Sequence, residues 1–139
     1  MKKVLSIILV ILWMIVIFLF SNQNSIDSTE STNLIYRLFG INTDSIFIFV
    51  LIRKCAHLIE YLILGLLVYN MFKSFNIKKI YICTILFCII CSCTDEIHQL
   101  FIPGREGKLI DCFIDTLGSS IGLIFIFLKQ KLNKRLSKN

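Results

Sequence analysis

Arg53, His57 and Glu60 stand at i, i+4 and i+7 in an otherwise apolar stretch, a spacing that stacks all three on one helix face. Lys54 and Tyr61 flank that face. Further along, Asp95, His98 and Gln99 share a face at i, i+3 and i+4, with Glu96 turned about 100° away. A third pair, Asp111 and Asp115, begins another apolar run, and Arg105 lies between these last two groups. Arg53, Lys54 and Arg105 suit the grip of a phosphate or carboxylate, with His57 or His98 to transfer a proton. The ligand-binding candidates are therefore Arg53, Lys54, His57, Glu60, Tyr61, Asp95, Glu96, Gln99, Arg105, Asp111 and Asp115. His57, Glu60, Asp95, Glu96 and His98 are the candidates for acid–base work, although no complete catalytic motif can be read and enzymatic activity stays open. Zinc or manganese would find N and O donors here. There is no H-E-x-x-H, however, and no Ser or Cys spaced to pair with a His as nucleophile. Neither a metal nor another cofactor is expected.

Those residues need elements to hold them, and the composition says which kind. The 139 residues are 56% hydrophobic and 17% charged, with a mean hydropathy of +0.79, whereas soluble domains run near about a quarter charged. Such a chain is too apolar to be disordered. Four segments, about 4–20, 50–72, 80–101 and 110–128, approach the roughly 20 apolar residues that cross a bilayer. Their unbroken apolar runs exclude a β-barrel, which alternates in short segments. The expected fold is all-α and polytopic: one domain, 1–139, of four transmembrane helices. The first segment has Lys2-Lys3 before it but no small-x-small cleavage site after Phe20, so it reads as an anchor and not as a cleaved signal. Cysteines 55, 83, 88, 91, 93 and 112 fall almost entirely in apolar runs, where thiols pack as small hydrophobes.

Loop charges orient the bundle. Ten basic residues, from Lys2 and Lys3 to Lys138, fall on one side, against Arg37, Arg105 and Lys108 on the other. Both termini are thus expected in the cytoplasm, and the basic tail is a topology signal that touches membrane lipids and not nucleic acid. With that topology, the ionisable residues of three helices all reach the outer leaflet. Charges inside a membrane cost about 2.5–3.5 kcal/mol each on insertion scales, so their convergence predicts either ion pairs holding helices together or a working polar site. Gly118-x-x-x-Gly122 on the Asp111–Asp115 face predicts close helix packing. Pro103-Gly104 predicts a tight turn that sets Arg105 beside the carboxylates of both flanking helices. Leu34 to Phe39, after the caps Ser31-Thr32-Asn33, reads as either a short interfacial helix or a loop.

Arg53-Lys54-Cys-Ala-His57-Leu-Ile-Glu60-Tyr61-Leu-Ile-Leu-Gly65 resembles the K-x-x-H-x-x-E-Y-x-x-L-G block of the VanZ-like membrane proteins. Asp95-Glu96-Ile-His98-Gln99 through Pro103-Gly104-Arg105, followed by Asp111-x-x-x-Asp115-Thr-Leu-Gly118-x-x-x-Gly122, resembles their second block. Phe20-Ser21-Asn22-Gln23 is similar to their segment after the first helix. The resemblance implies a bacterial plasma-membrane protein of cell-envelope biology, linked to tolerance of teicoplanin-type lipoglycopeptides. The implied partner is an amphiphilic glycopeptide or a lipid-linked wall precursor, met at an outer-leaflet polar site. The alternative is an intramembrane enzyme acting on a lipid-linked phosphate or wall precursor.

Overall fold

In the computed structural model, residues 2–23, 29–30, 32–34, 37–38, 46–105 and 107–137 are described, and their regular structure is helical throughout. Four long helices follow one another: α1 (Lys2–Ser21), α2 (Ile46–Ser74), α3 (Ile80–Gln99) and α4 (Leu109–Leu136). Three of them, α1, α3 and α4, are long and apolar enough to cross a membrane. Their outward faces carry the large apolar side chains, among them Val4, Leu12 and Leu19 on α1, Ile82 and Ile90 on α3, and Phe113, Leu117 and Phe125 on α4. Buried positions meanwhile include Thr84, Ser92, Asp95, Gln99, Asp115 and Ser119. Apolar outside and polar inside is the distribution that lipid, and not water, selects.

Helix α2 is the centre of the bundle. It packs most extensively on α4 and also against α1 and α3, whereas α1 touches α3 only lightly. Its buried residues Tyr61, Leu64, Gly65, Val68 and Tyr69 recur at helical spacing. On one side they join Val10 and Ile17 of α1 and Cys88 of α3 in the apolar core. On the other side the seam is made of small residues. A Cβ at Gly118 would collide with the Leu58 carbonyl, and one at Gly122 would come within 2.9 Å of the Leu62 carbonyl. The G-x-x-x-G face is thus the surface by which α4 reaches the backbone of α2.

Consecutive helices run antiparallel, so α2 and α4 lie parallel, with Gly118 beside Leu58 and Gly122 beside Leu62. At one end Ser6 Oγ meets Ser74 Oγ at 3.2 Å, and Gln130 bridges Tyr69 of α2 and Tyr81 of α3. The opposite end holds the ionisable residues. Here Ile102–Arg105 closes a turn, with Arg105 N–H donating to the Ile102 carbonyl at 3.1 Å and Gly104 at φ 74°, a conformation that glycine adopts without strain.

The element ends differ from the sequence expectation chiefly in three places. Helix α2 begins at Ile46, ahead of the expected start at about 50. Helix α3 stops at Gln99, just before the turn containing Pro103. Helix α4 continues to Leu136, past the expected end at about 128. The basic residues there are good helix formers, and cations are favourable near a helix C-terminus. In the expected interfacial segment Leu34, Arg37 and Leu38 are helical, as are 29–30 and the expected caps Thr32 and Asn33 before it; Ser31, Ile35, Tyr36 and Phe39 lie outside the described residues, as do Glu106 and Lys138.

Candidate functional site

The polar end is assembled from all four helices. On α2 the face carrying Arg53, His57 and Glu60 turns inward, and all three line a cavity of about 190 Å³. Phe20, Ser21 and Gln23 from the end of α1, Asp95 of α3 and Arg105 of the turn complete much of its wall. A second cavity of about 390 Å³ shares Arg53, His57 and Arg105 with the first and adds Lys54, Gln99, Lys108 and Asp111. Among the described residues its wall therefore carries four cations, Arg53, Lys54, Arg105 and Lys108, against one carboxylate, Asp111.

The hydrogen bonds explain how each side chain is held. Lys54 Nζ donates to Asp111 Oδ1 at 2.6 Å, tying α2 to the first turn of α4. One turn deeper, Asp115 is completely buried. Its Oδ2 accepts from Ser92 Oγ at 2.6 Å, and its Oδ1 faces His57 Nδ1 at 3.5 Å. This Ser92–Asp115–His57 chain links three helices. With Nδ1 directed at Asp115, the ring has Nε2 left for a ligand. Asp95 Oδ2 accepts from Gln99 Nε2, which also reaches Ser21 Oγ, both at 3.2 Å.

Arg105 is expected beside the carboxylates of α3 and α4, and it does line one cavity with Asp95 of α3. Its actual hydrogen bonds go to α1: Nε donates to the Gln23 carbonyl at 2.9 Å and Nη2 to the Phe20 carbonyl at 3.2 Å. It therefore closes the C-terminal end of α1, whose last carbonyls have no partner within the helix. Half-burial lowers its guanidinium from the ordinary arginine value, as does nearby Arg53, while Asp95, Glu96 and Glu60 oppose the shift. It remains a cation beside both cavities.

Of the sequence candidates, Arg53, Lys54, His57, Glu60, Asp95, Gln99, Arg105 and Asp111 line one or both polar cavities. Asp115 stands behind His57. Tyr61 is wholly buried one turn deeper and lines a separate, apolar groove. Glu96 turns toward the start of α4, where Oε2 accepts the Lys108 backbone N–H at 2.6 Å. His98 points to α1, its ring 4.9 Å from that of Phe18 and its Nε2 3.3 Å from Asn22 Oδ1. Glu96 and His98 are not among the described lining of these two cavities, and His98 lines the apolar groove instead. No group of three or more His, Cys, Asp or Glu among the described residues is arranged to hold a metal ion.

Sequence reasoning missed Ser92 and Trp13. Ser92 lies one helical turn before Asp95, a polar residue inside a cysteine-rich apolar run, and that spacing is its only signal. Trp13 Nε1 donates to the Glu60 backbone carbonyl at 2.9 Å, a bond between α1 and α2 that no local pattern announces.

A family model, VanZ/LLP1, matches residues 6–130, nearly the whole chain and every residue of the site. The chain belongs to the VanZ/LLP1 family. No curated protein and no solved structure matches it. As a VanZ/LLP1 membrane protein, it builds its polar end from the two blocks by which the family was recognisable: the first is the inward face of α2, the second the end of α3, the turn and the start of α4.

Proposed function

We propose that this VanZ/LLP1 protein is a single four-span domain of a bacterial plasma membrane, with α2 as the fourth span and both termini cytoplasmic. In that orientation its two polar cavities open in the outer leaflet. They bind the headgroup of an amphiphile, a lipid-linked wall precursor or a lipoglycopeptide of the teicoplanin type, and so contribute to tolerance of such drugs. One observation carries the reading. Among the described residues, four cations line the larger cavity against a single carboxylate, and low-dielectric walls focus such a field on an anionic ligand. The distribution of basic residues supports the orientation: Lys73, Lys78, Lys79 and the basic end of α4 lie opposite the cavities.

The test compares teicoplanin tolerance and the chemistry of the lipid-linked precursor pool with and without the gene. Lower drug occupancy of the cell wall, with unaltered precursors, is the expected result. Equal tolerance in both strains sinks the reading. A reporter active only in the cytoplasm, fused to Asn139, checks the orientation; a silent fusion at normal expression overturns it.

The Ser92–Asp115–His57 chain favours a second reading, an intramembrane enzyme acting on a lipid-linked phosphate. Here His57 Nε2 takes a proton from water as the water oxygen bonds to phosphorus. The phosphorus–oxygen bond to the lipid then breaks, and the proton passes to the leaving oxygen. Asp115 stabilises the imidazolium that forms between the two transfers. Phosphate release from a lipid phosphate by the purified protein, lost in His57→Gln, is the expected signature; no release above the His57→Gln background excludes this reading.

A further inference from the structure

The apolar groove beside the polar site has a shape that the headgroup reading leaves unused. About 440 Å³ in volume, it lies between α1 and α3 and is floored by α2. Met14 and Phe18 form one wall, Phe87 and Ile90 the other, and Leu64 lies at its base. Packing between α1 and α3 is light, and Ile90 and Phe18 are exposed at the groove's rim. At its polar end the groove is bounded by Phe18 and His98, whose rings lie 4.9 Å apart. Asp95 lines both it and the smaller polar cavity, which shares Arg53, His57 and Arg105 with the larger one. The apolar groove and the polar cavities therefore meet at Asp95, with Glu60 on the polar side of it. Tyr61 Oη, buried on the groove's wall, has no hydrogen-bond partner among the described residues.

We infer that the ligand of this site is a lipid phosphate with a single hydrocarbon chain, its phosphate in the cationic cavity and its chain in the groove between α1 and α3. The inference rests on the headgroup reading above and adds the class and seating of the ligand. Charge sets the direction. The carboxylates of Asp95 and Glu60 disfavour a phosphate near the groove, while Arg53, Lys54, Arg105 and Lys108 favour it at the far end. The groove that meets the polar cavities at Asp95 has a volume suited to one chain, which favours a single-chain ligand over two-chain phospholipids. Burial of the chain then contributes to affinity in proportion to its length.

The experiment uses the full chain in nanodiscs of neutral phosphatidylcholine. Binding of farnesyl phosphate, isopentenyl phosphate, farnesol and dioleoyl phosphatidic acid is measured, together with crosslinking by farnesyl phosphate bearing a diazirine at its tail. Farnesyl phosphate is expected to bind about tenfold or more tightly than each of the others, because only it fills both the cationic cavity and the groove. The diazirine is expected to label α1 near Met14–Phe18 and α3 near Phe87–Thr94. Ile90→Trp, or Thr94→Trp if the first accumulates poorly, should fill the groove and bring farnesyl phosphate down toward isopentenyl phosphate. Equal binding of the two phosphates, or labelling confined to α4, overturns the groove while leaving the headgroup reading intact. Equal binding of phosphatidic acid overturns the single-chain assignment. If farnesol binds as tightly as farnesyl phosphate and isopentenyl phosphate does not bind, the headgroup reading itself fails.

Discussion

His57 Nδ1 and Asp115 Oδ1 face each other at 3.5 Å across the seam between α2 and α4, both atoms buried and neither with a closer partner. The seam holds them there. Gly118, less than one turn beyond Asp115, lies against the Leu58 carbonyl, the residue next to His57, so the two backbones cannot approach or slide without collision. A small contraction would complete a charge-assisted hydrogen bond, of the kind stronger than a neutral one. The two family blocks thus meet at a pair whose geometry is set by glycine.

Asp115 should separate stability from function. Asp115→Asn keeps an oxygen for Ser92 but loses the charge facing His57, so it should accumulate near wild-type levels while drug tolerance falls. Asp115→Ala leaves the Ser92 hydroxyl buried without its partner and removes the carboxylate facing His57, at a cost of about 1–3 kcal/mol. Thermal unfolding of the detergent-purified variants measures the difference. Equal stability of the two would mean that the Ser92 bond contributes nothing.

Three helix-face glycines should rank by the space around them. At Gly118 a Cβ meets the Leu58 carbonyl; at Gly122 it comes within 2.9 Å of the Leu62 carbonyl; at Gly65 its nearest neighbours are Ser119 atoms at 3.1 Å. All three meet backbone atoms, which yield little, so the closest approach decides: Gly118→Ala should be the most damaging, with an overpacking cost of about 1–3 kcal/mol or more. Gly122→Ala should be intermediate and Gly65→Ala mildest. Membrane levels and unfolding temperatures of the three check the order.

The Lys54–Asp111 ion pair, with Lys54 about one-third exposed (35%), should contribute little to stability. A double-mutant cycle of Lys54→Gln and Asp111→Asn should give a coupling below about 1 kcal/mol. Binding of phosphate probes should nevertheless weaken in Lys54→Gln, since that ammonium lines the cationic cavity. A coupling of several kcal/mol would reassign the pair as structural.

Trp13 is the only tryptophan of the chain, and its bond to the Glu60 carbonyl makes its fluorescence a report on the cavity wall. Trp13→Phe should cost about 1 kcal/mol, the usual net contribution of one hydrogen bond. In the wild type, a ligand entering beside Glu60 should shift the emission. Arg105→Gln, which loses both carbonyl bonds to the end of α1, should weaken that response more than it changes the amount of protein in the membrane. An unchanged response would place the ligand elsewhere.

Glu60→Gln and Asp95→Asn retain size and some hydrogen bonding, so both should reach the membrane normally and lose drug tolerance. If both retain tolerance whenever they accumulate, the carboxylates hold helices together and do no more.

Much of this arrangement was written locally in the chain. The apolar runs dictate helices because only a helix satisfies its own backbone in lipid. The i, i+4, i+7 spacing of Arg53, His57 and Glu60 is enough to put them on one face, and it did. Gly118-x-x-x-Gly122 announced a close helix contact, and Pro103-Gly104 the turn that carries Arg105. The partner of each group was decided only by the tertiary structure. Spacing could not tell that α4, and not α3, presents a carboxylate to His57, since that depends on which helix the small-residue face of α4 meets. Nor could it turn His98 toward Phe18 and Asn22, direct Glu96 to the Lys108 amide, or send Arg105 to the carbonyls of α1. Helical periodicity fixes direction about one axis, while those choices depend on how four axes pack together. Ser92 shows the difference most plainly: an ordinary residue in its own helix, it becomes the donor to a buried carboxylate once α3 and α4 are side by side.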